Sequence, residues 1–147
     1  MVLVLAGAAS AMAQAPQRPA LSVPPRGETA SLRALPDGPG KRVVELQGLD
    51  KITARTQKLV APVGETTRFG TLEINVGDCM VNTPEAPPEA VAYLTIIDHK
   101  PGQKEEKLFA GWMFATAPSL SALDHGVYDV RVLACTRAQA SSAPSTR

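Results

Sequence analysis

The segment from Gly111 to Cys135 constrains the fold more than any other part of this 147-residue chain. Apolar residues fill its first part and alternate with polar residues in its last part, as expected of strands. Between them lies a short stretch with helix-start and helix-stop signals. The segment contains the single tryptophan, Trp112, and one of the two cysteines. We therefore predict a folded core near the C-terminus, in which two strands are joined through a short helical turn.

Most of the remaining core also has the period of β-strands. Apolar residues occupy every second position in several stretches, the clearest being Leu72, Ile74, Val76 and then Tyr128, Val130, Val132. Residues 91–97 and 108–114 are apolar on both faces, which is typical of buried strands. Thirteen prolines and eleven glycines disfavour long helices. The sequence predicts a mainly β fold, a small antiparallel β-sandwich or partly open barrel of six to eight strands with one short helical turn.

Turn-forming residues separate these strands. Pro101 and Gly102 suit the centre of a type II turn, which would join residues 91–97 and 108–114 as a hairpin. Ser119 is a good helix N-cap, and Gly126 can close the helical turn in a left-handed conformation. The predicted helix is one to two turns long.

The N-terminus has the features of an export signal. Residues 1–13 are largely apolar, and Ala11-Met12-Ala13 has the small-x-small form that signal peptidase accepts. We predict a signal peptide at 1–13 that is cleaved after Ala13, and a periplasmic mature protein. The alternative is an Ala-rich N-terminal helix. Because the apolar stretch is too short to span a bilayer, we expect no transmembrane segment in the mature chain.

Composition divides the rest of the chain into three parts. Residues 14–41 are rich in proline and poor in large apolar side chains, so they cannot offset the entropy cost of ordering. We predict a disordered leader there, a single β domain at 42–137, and a disordered tail at 138–147.

The two cysteines predict a covalent cross-link. Exported proteins fold in oxidising compartments, where Cys79 and Cys135 would form a disulfide, the alternative being two separate buried thiols. Strict alternation places each cysteine on the opposite face from the apolar residues of its strand. Either a bulge at Gly77 shifts this register, or both sulfurs lie on an outer face under a loop.

The charge and the motifs exclude several function classes. A formal net charge of +1 argues against the basic surface that nucleic acid requires. Ser121 and His125 lie four residues apart, but no Gly-x-Ser-x-Gly nucleophile turn accompanies them. His99 and His125, each preceded by an aspartate, fall in separate loops, so a shared metal site is not expected. We predict no catalytic residue, no metal and no cofactor.

The segment 109–120 and a proline-rich loop are the candidates for a contact surface. Aromatic residues and methionine are favoured in interface centres, and Trp112 and Met113 follow each other here. The loop contributes Pro84, Pro87 and Pro88. The alternative for Trp112 is core packing. We predict a non-catalytic domain that contacts another protein; the alternatives are a module that binds a small molecule or an envelope polymer and, third, an enzyme of unknown type.

Several segments resemble a bacterial family catalogued as domain of unknown function 2155. The resemblance covers about residues 46–136 and rests on GLDKITART (48–56), PVGETTRFGTLEINVGDC (62–79), EAPPEA (85–90), FAGWMFATAPSL (109–120) and HGVYDVRVLAC (125–135). It implies a small exported alphaproteobacterial protein, and no activity or catalytic residue is implied. Genes of the family tend to lie near one for an accessory subunit of the respiratory NADH–quinone oxidoreductase. The resemblance therefore implies an accessory or assembly role for that membrane-embedded complex.

Overall fold

A computed structural model describes residues 31–138 as eight strands in two antiparallel sheets, with one short 3-10 turn. The mainly β prediction is confirmed. The elements in chain order are β1 (Leu32–Ala34), β2 (Arg42–Asp50), β3 (Arg55–Pro62), β4 (Thr66–Phe69), β5 (Leu72–Asn82), β6 (Ala90–Asp98), β7 (Glu106–Phe114), the 3-10 turn (Pro118–Leu120) and β8 (Tyr128–Arg137).

The two sheets differ in size. The larger one has the order β1-β5-β6-β7. Strand β4 pairs with the same edge of β5 as β1 does, but it pairs with the first residues of β5, whereas β1 pairs with the last ones. The smaller one has the order β3-β2-β8. Their inner faces pack together around a core of alternating apolar residues, whose largest fully buried members include Leu46, Leu72, Ile74, Leu94 and Ile96. Burial of this apolar surface is the main favourable contribution to folding.

Two β-bulges set the direction of the cysteine side chains. Gly77 is an extra residue between the pairs Val76–Leu94 and Asp78–Tyr93, so the parity of β5 changes there. In β8 the pairing shifts between Glu45 and Leu46, which leaves Leu133 as the extra residue. Each bulge returns its cysteine to the inner face. The bulge predicted at Gly77 is therefore confirmed, and the alternative, with both sulfurs on an outer face, is wrong.

The folded part of the chain begins earlier than predicted. Strand β1 lies inside the stretch assigned to the disordered leader, and its three residues pair with Met80, Val81 and Asn82 of β5. The side chains of β1 are exposed, so no apolar pattern marks it, and backbone hydrogen bonds to the edge of β5 hold it instead. The boundary at residue 42 is thus corrected to Leu32. The signal peptide, residues 14–30 of the leader and residues 139–147 of the tail lie outside the described residues.

The turns were predicted with mixed success. Gly102 has a φ of 73°, and Gln103 N donates to Lys100 O at 3.1 Å, which confirms the turn between β6 and β7. The helical segment is only a 3-10 turn of three residues; Ser119 does not cap it, and Gly126 is not left-handed. The segment is held by its neighbour instead, because Ser121 Oγ donates to the carbonyl of Trp112 on β7 at 2.6 Å.

Candidate functional site

Trp112 lies on the outer face of the larger sheet. It stands opposite Tyr93 in the β6–β7 register, and the two rings meet edge to face with their centroids 5.5 Å apart. Trp112 is half-buried, and Tyr93 is 36% exposed. Such edge-to-face pairs fix the orientation of both rings. The smaller sheet covers the opposite face of the larger sheet. Trp112 therefore lies outside the sandwich core, and the alternative that it packs in the core is wrong.

Met113 belongs to the core. Its side chain is 2% exposed, and it pairs with the fully buried Ala92 on the inner face. Neighbouring residues of a strand point to opposite faces, so Trp112 and Met113 cannot both face a partner. The assignment of Met113 to a contact surface is therefore corrected. Phe114 takes its place, because it lies on the same outer face as Trp112, opposite Val91.

The proline loop, residues 83–89, separates two grooves at one end of the sandwich. Pro84 and Pro88 line a groove of about 520 Å³ that continues to Leu133 and Cys135 of β8. Pro87 and Pro88 line a second groove of about 440 Å³, together with Leu32, Phe114 and others. The second groove adjoins the outer face. The structure therefore brings the three predicted prolines close to Phe114, at the end of the strand that carries Trp112.

Hydrogen bonds anchor both ends of the proline loop. Asn82 Nδ2 donates to the carbonyl of Pro87 at 2.7 Å, while Asn82 Oδ1 is buried and accepts no hydrogen bond from the described residues. The Glu89 carboxylate accepts from the backbone amides of Ala90 and Thr116 at 3.0 and 3.2 Å. The loop is therefore fixed to β5 and to the segment after β7, which keeps the prolines in a defined position.

Cys79 and Cys135 lie between the two sheets at disulfide distance. Their Cα atoms are 6.1 Å apart, and the side chains are 0% and 6% exposed. The pair joins β5 of the larger sheet to β8 of the smaller one, beside the larger groove. A bond here would tie together strands that share no backbone hydrogen bonds.

A buried polar network lies at the other end of the sandwich. Asp98 is 1% exposed; it accepts hydrogen bonds from the hydroxyl of Thr71 and, at 3.0 Å, from Nε2 of His125, and Lys100 Nζ lies 3.2 Å away. Burial alone raises the pKa of Asp98, but the hydrogen bonds from Thr71, Lys100 and His125 outweigh it and hold the pKa below the ordinary value of 3.8. Asp98 is therefore ionised in the core and compensated there.

Both ring nitrogens of His125 form hydrogen bonds. Nδ1 accepts from the backbone amides of Val127 and Tyr128 at 3.2 and 2.9 Å, so Nε2 carries the hydrogen that Asp98 accepts. Ser121, the candidate nucleophile beside it in sequence, donates to the Trp112 carbonyl instead. The arrangement holds the start of β8 against the end of β6.

Sequence reasoning missed this network because it placed Asp98 and His125 in solvated loops. The parity of β6 was an available signal. The inner face of that strand carries Ala92, Leu94 and Ile96, and Asp98 continues the same alternation. A charged residue at a core-facing position indicates a buried partner. Residues 31–138 contain no group of three or more His, Cys, Asp or Glu residues that could hold a metal ion.

The sequence matches one known protein family over most of the folded region. Residues 44–135 match the profile of DUF2155, described as an uncharacterized protein conserved in bacteria. The chain belongs to this family. The matched region runs from β2 to β8 and includes both cysteines, Trp112 and the proline loop. The resemblance noted in the sequence is thus confirmed.

A curated relative matches part of the chain. "Uncharacterized protein RP359" of Rickettsia prowazekii (strain Madrid E) is 30% identical over 87 residues, which are 59% of this chain and 56% of that protein. The chain therefore spans little more than half the length of this relative. No solved structure shows a significant match. Among residues 31–138 there is no helix with the length and apolarity needed to cross a membrane.

Proposed function

We propose that this protein is an exported, non-catalytic domain that works by contact with another protein. The observation that carries the proposal is the aromatic pair on the outer face, where half-buried Trp112 is fixed against the exposed Tyr93. Aromatic side chains with restricted rotamers lose little entropy on binding, and they are enriched among residues that dominate interface energies. We define the contact face as Tyr93, Trp112 and Phe114 together with the proline loop.

The surroundings of the aromatic pair support a protein partner. The groove between Phe114, Leu32 and the proline loop is predominantly apolar, and it continues the contact face beyond the edge of the sheet. Interface centres are typically apolar and poor in charge, with polar groups at the rim. The family resemblance suggests which partner to test first, the respiratory NADH–quinone oxidoreductase.

Native complexome profiling of gently solubilised membranes tests the proposal. We expect the wild-type protein to co-migrate with the respiratory complex, and Trp112→Ala to reduce the co-migrating fraction about tenfold, the loss typical of an interface hot spot. The matched control is Ile52→Ser, which removes an apolar side chain that is 74% exposed in the β2–β3 turn, far from the contact face. This control should co-migrate like the wild type.

Two results would contradict the contact proposal. One is migration of the wild-type protein at monomer mass, and the other is equal loss of co-migration in both variants. Thermal unfolding of each purified variant separates loss of contact from loss of fold, because a contact residue changes co-migration without an equal change in melting temperature.

Export makes a separate prediction about the mature N-terminus. Cleavage after Ala13 leaves Gln14 as the first residue, and an N-terminal glutamine commonly cyclises. Intact-mass and N-terminal peptide analysis of protein recovered from the periplasmic fraction should find Gln14 or its cyclised form. A cytoplasmic protein that retains Met1 would contradict export.

A further inference from the structure

A second site lies at the end of the sandwich opposite the proline loop. It is a pocket of about 450 Å³ between the start of β3, the β4–β5 turn and the start of β8. Its lining residues include Arg55, Thr56, Gln57, Phe69, Gly70 and Tyr128. Sites for small molecules have volumes of this order, with apolar walls and a few polar groups that fix orientation. We call it the aromatic pocket.

Two aromatic rings form the apolar part of the pocket. Phe69 and Tyr128 meet edge to face, with their centroids 5.2 Å apart. Gly70 follows Phe69 with a φ of 59°, and a Cβ added to it would lie 2.4 Å from Cζ of Tyr128. Only glycine fits this close approach, so the turn brings its backbone directly against the tyrosine ring.

The buried Asp98–His125 network holds Tyr128 in this position. The imidazole of His125 stacks on the Tyr128 ring, with centroids 5.4 Å apart and an interplanar angle of 5°, and its Nδ1 accepts the Tyr128 amide hydrogen. Asp98 in turn holds His125 through a hydrogen bond. The orientation of the Tyr128 ring at the pocket therefore depends on contacts within the buried core. A binding group supported in this way needs little reordering when a ligand arrives.

The polar rim of the pocket has unused hydrogen-bonding groups. The side chains of Arg55, Thr56 and Gln57 form no hydrogen bond or ion pair with the residues that the structure describes. Asp50 is engaged, because its Oδ1 accepts from the amides of Ile52 and Thr53. Hydrogen bonds from Thr53 and Ile52 lower the pKa of Asp50, and the charge of Arg55 acts in the same direction. Arg55 thus offers a guanidinium whose five donors are not bonded to any of residues 31–138.

We propose that the aromatic pocket binds an acidic sugar unit, with the carboxylate on Arg55 and the sugar ring against the part of Tyr128 that lines the pocket. A guanidinium matches a carboxylate through two parallel hydrogen bonds. Because His125 stacks on one face of Tyr128 and Phe69 is 8% exposed, the apolar C–H groups of the sugar ring pack on the remaining accessible part of the Tyr128 ring. The hydroxyl and amide groups of Thr56 and Gln57 provide partners for the sugar hydroxyls.

Amide chemical-shift titration with D-galacturonate and with D-galactose tests this assignment, because the two sugars differ only at C6, which is a carboxylate in the first and a hydroxymethyl group in the second. We expect D-galacturonate to shift the amides of Thr53, Thr56, Gln57 and Gly70 in a saturable manner in the millimolar range. Arg55→Gln should weaken this binding by at least about tenfold, since it removes a charge-assisted bidentate contact. The matched control Arg33→Gln removes an exposed arginine of β1 and should bind like the wild type.

Three outcomes would overturn the proposal. They are the absence of saturable shifts, equal affinity for both sugars, and shifts centred on the proline loop instead of the aromatic pocket. Arg55 is exposed, so its substitution leaves the core intact, and an unchanged spectrum away from the pocket verifies that the variant is folded. Because the contact face lies at the other end of the sandwich, this test can fail without affecting the proposed contact function.

Discussion

Replacing Cys79 and Cys135 together by alanine should lower the free energy of unfolding by about 4 kcal/mol, the chain-entropy value for a loop of this length. The two residues are 56 positions apart in sequence, and a bond between them restricts the unfolded chain over that distance. It also joins β5 to β8, strands of different sheets. Urea unfolding of the oxidised wild type and of the double variant measures the difference directly.

The reduced wild-type protein is the matched control for the double alanine variant. It keeps both sulfur atoms and loses only the covalent bond, so its stability should be close to that of the variant. The buried positions of the two cysteines add a packing contribution that only the variant loses. A difference below about 1 kcal/mol between the oxidised and reduced wild type would contradict a cross-link with this role. Non-reducing peptide mapping should find the Cys79 and Cys135 peptides linked.

Replacing Asp98 by asparagine should destabilise the protein by about 3 kcal/mol, because it removes the charge that compensates its partners in a buried site. The carboxylate accepts from Thr71 and from His125 Nε2, and Lys100 Nζ lies 3.2 Å from it. An asparagine amide group would bring a donor against one of these donors. Urea unfolding near neutral pH measures the loss, and the ring-current shifts of Tyr128 should change as well.

The stabilisation by Asp98 should depend on pH in a direction that the shift of its pKa determines. Because the folded-state pKa of Asp98 is lowered below 3.8, its stabilisation is fully present above that value and is lost as the pH falls through the lower folded-state pKa. The difference in stability between the wild type and Asp98→Asn should therefore shrink as the pH is lowered below 3.8. A difference that stays constant across this range would contradict the role assigned to the charge.

Asp78→Asn provides the matched control for the Asp98 substitution. Asp78 also pairs with a cation, since Arg42 Nη1 lies 2.8 Å from its Oδ1, but its side chain is 45% exposed. Solvent screens such a pair, so its removal should cost less than about 1 kcal/mol. Equal effects of the two substitutions would show that burial of the Asp98 network contributes nothing to its strength.

Strands β6 and β7 have the same apolar pattern in the sequence but different positions in the sheet. Both strands are apolar on both faces, which predicted a buried central strand for residues 91–97 but left open for residues 108–114 whether one face is a docking surface. The structure places β6 between β5 and β7 and leaves the outer face of the sheet uncovered at Tyr93, so Trp112 and Phe114 of β7 are only half-buried. Strand order depends on contacts between distant segments, which a periodic pattern does not encode.

The sequence by itself determined the features that depend on neighbouring residues. Alternation at Leu72, Ile74 and Val76 identified β5 and its inner face, and Pro101-Gly102 identified the turn after β6, because strand period and turn geometry are local properties of the backbone. The family could also be recognised from short segments of the chain.

Only the tertiary structure decided what depends on pairing across the chain. The bulges at Gly77 and Leu133 turn both cysteines inward, and each exists only relative to the register of a neighbouring strand. Asp98 and His125 meet because the end of β6 lies beside the start of β8. Arg55 and Tyr128 line one pocket because both pair with Asp50 at the end of β2, and the packing of the two sheets then brings Phe69 beside them.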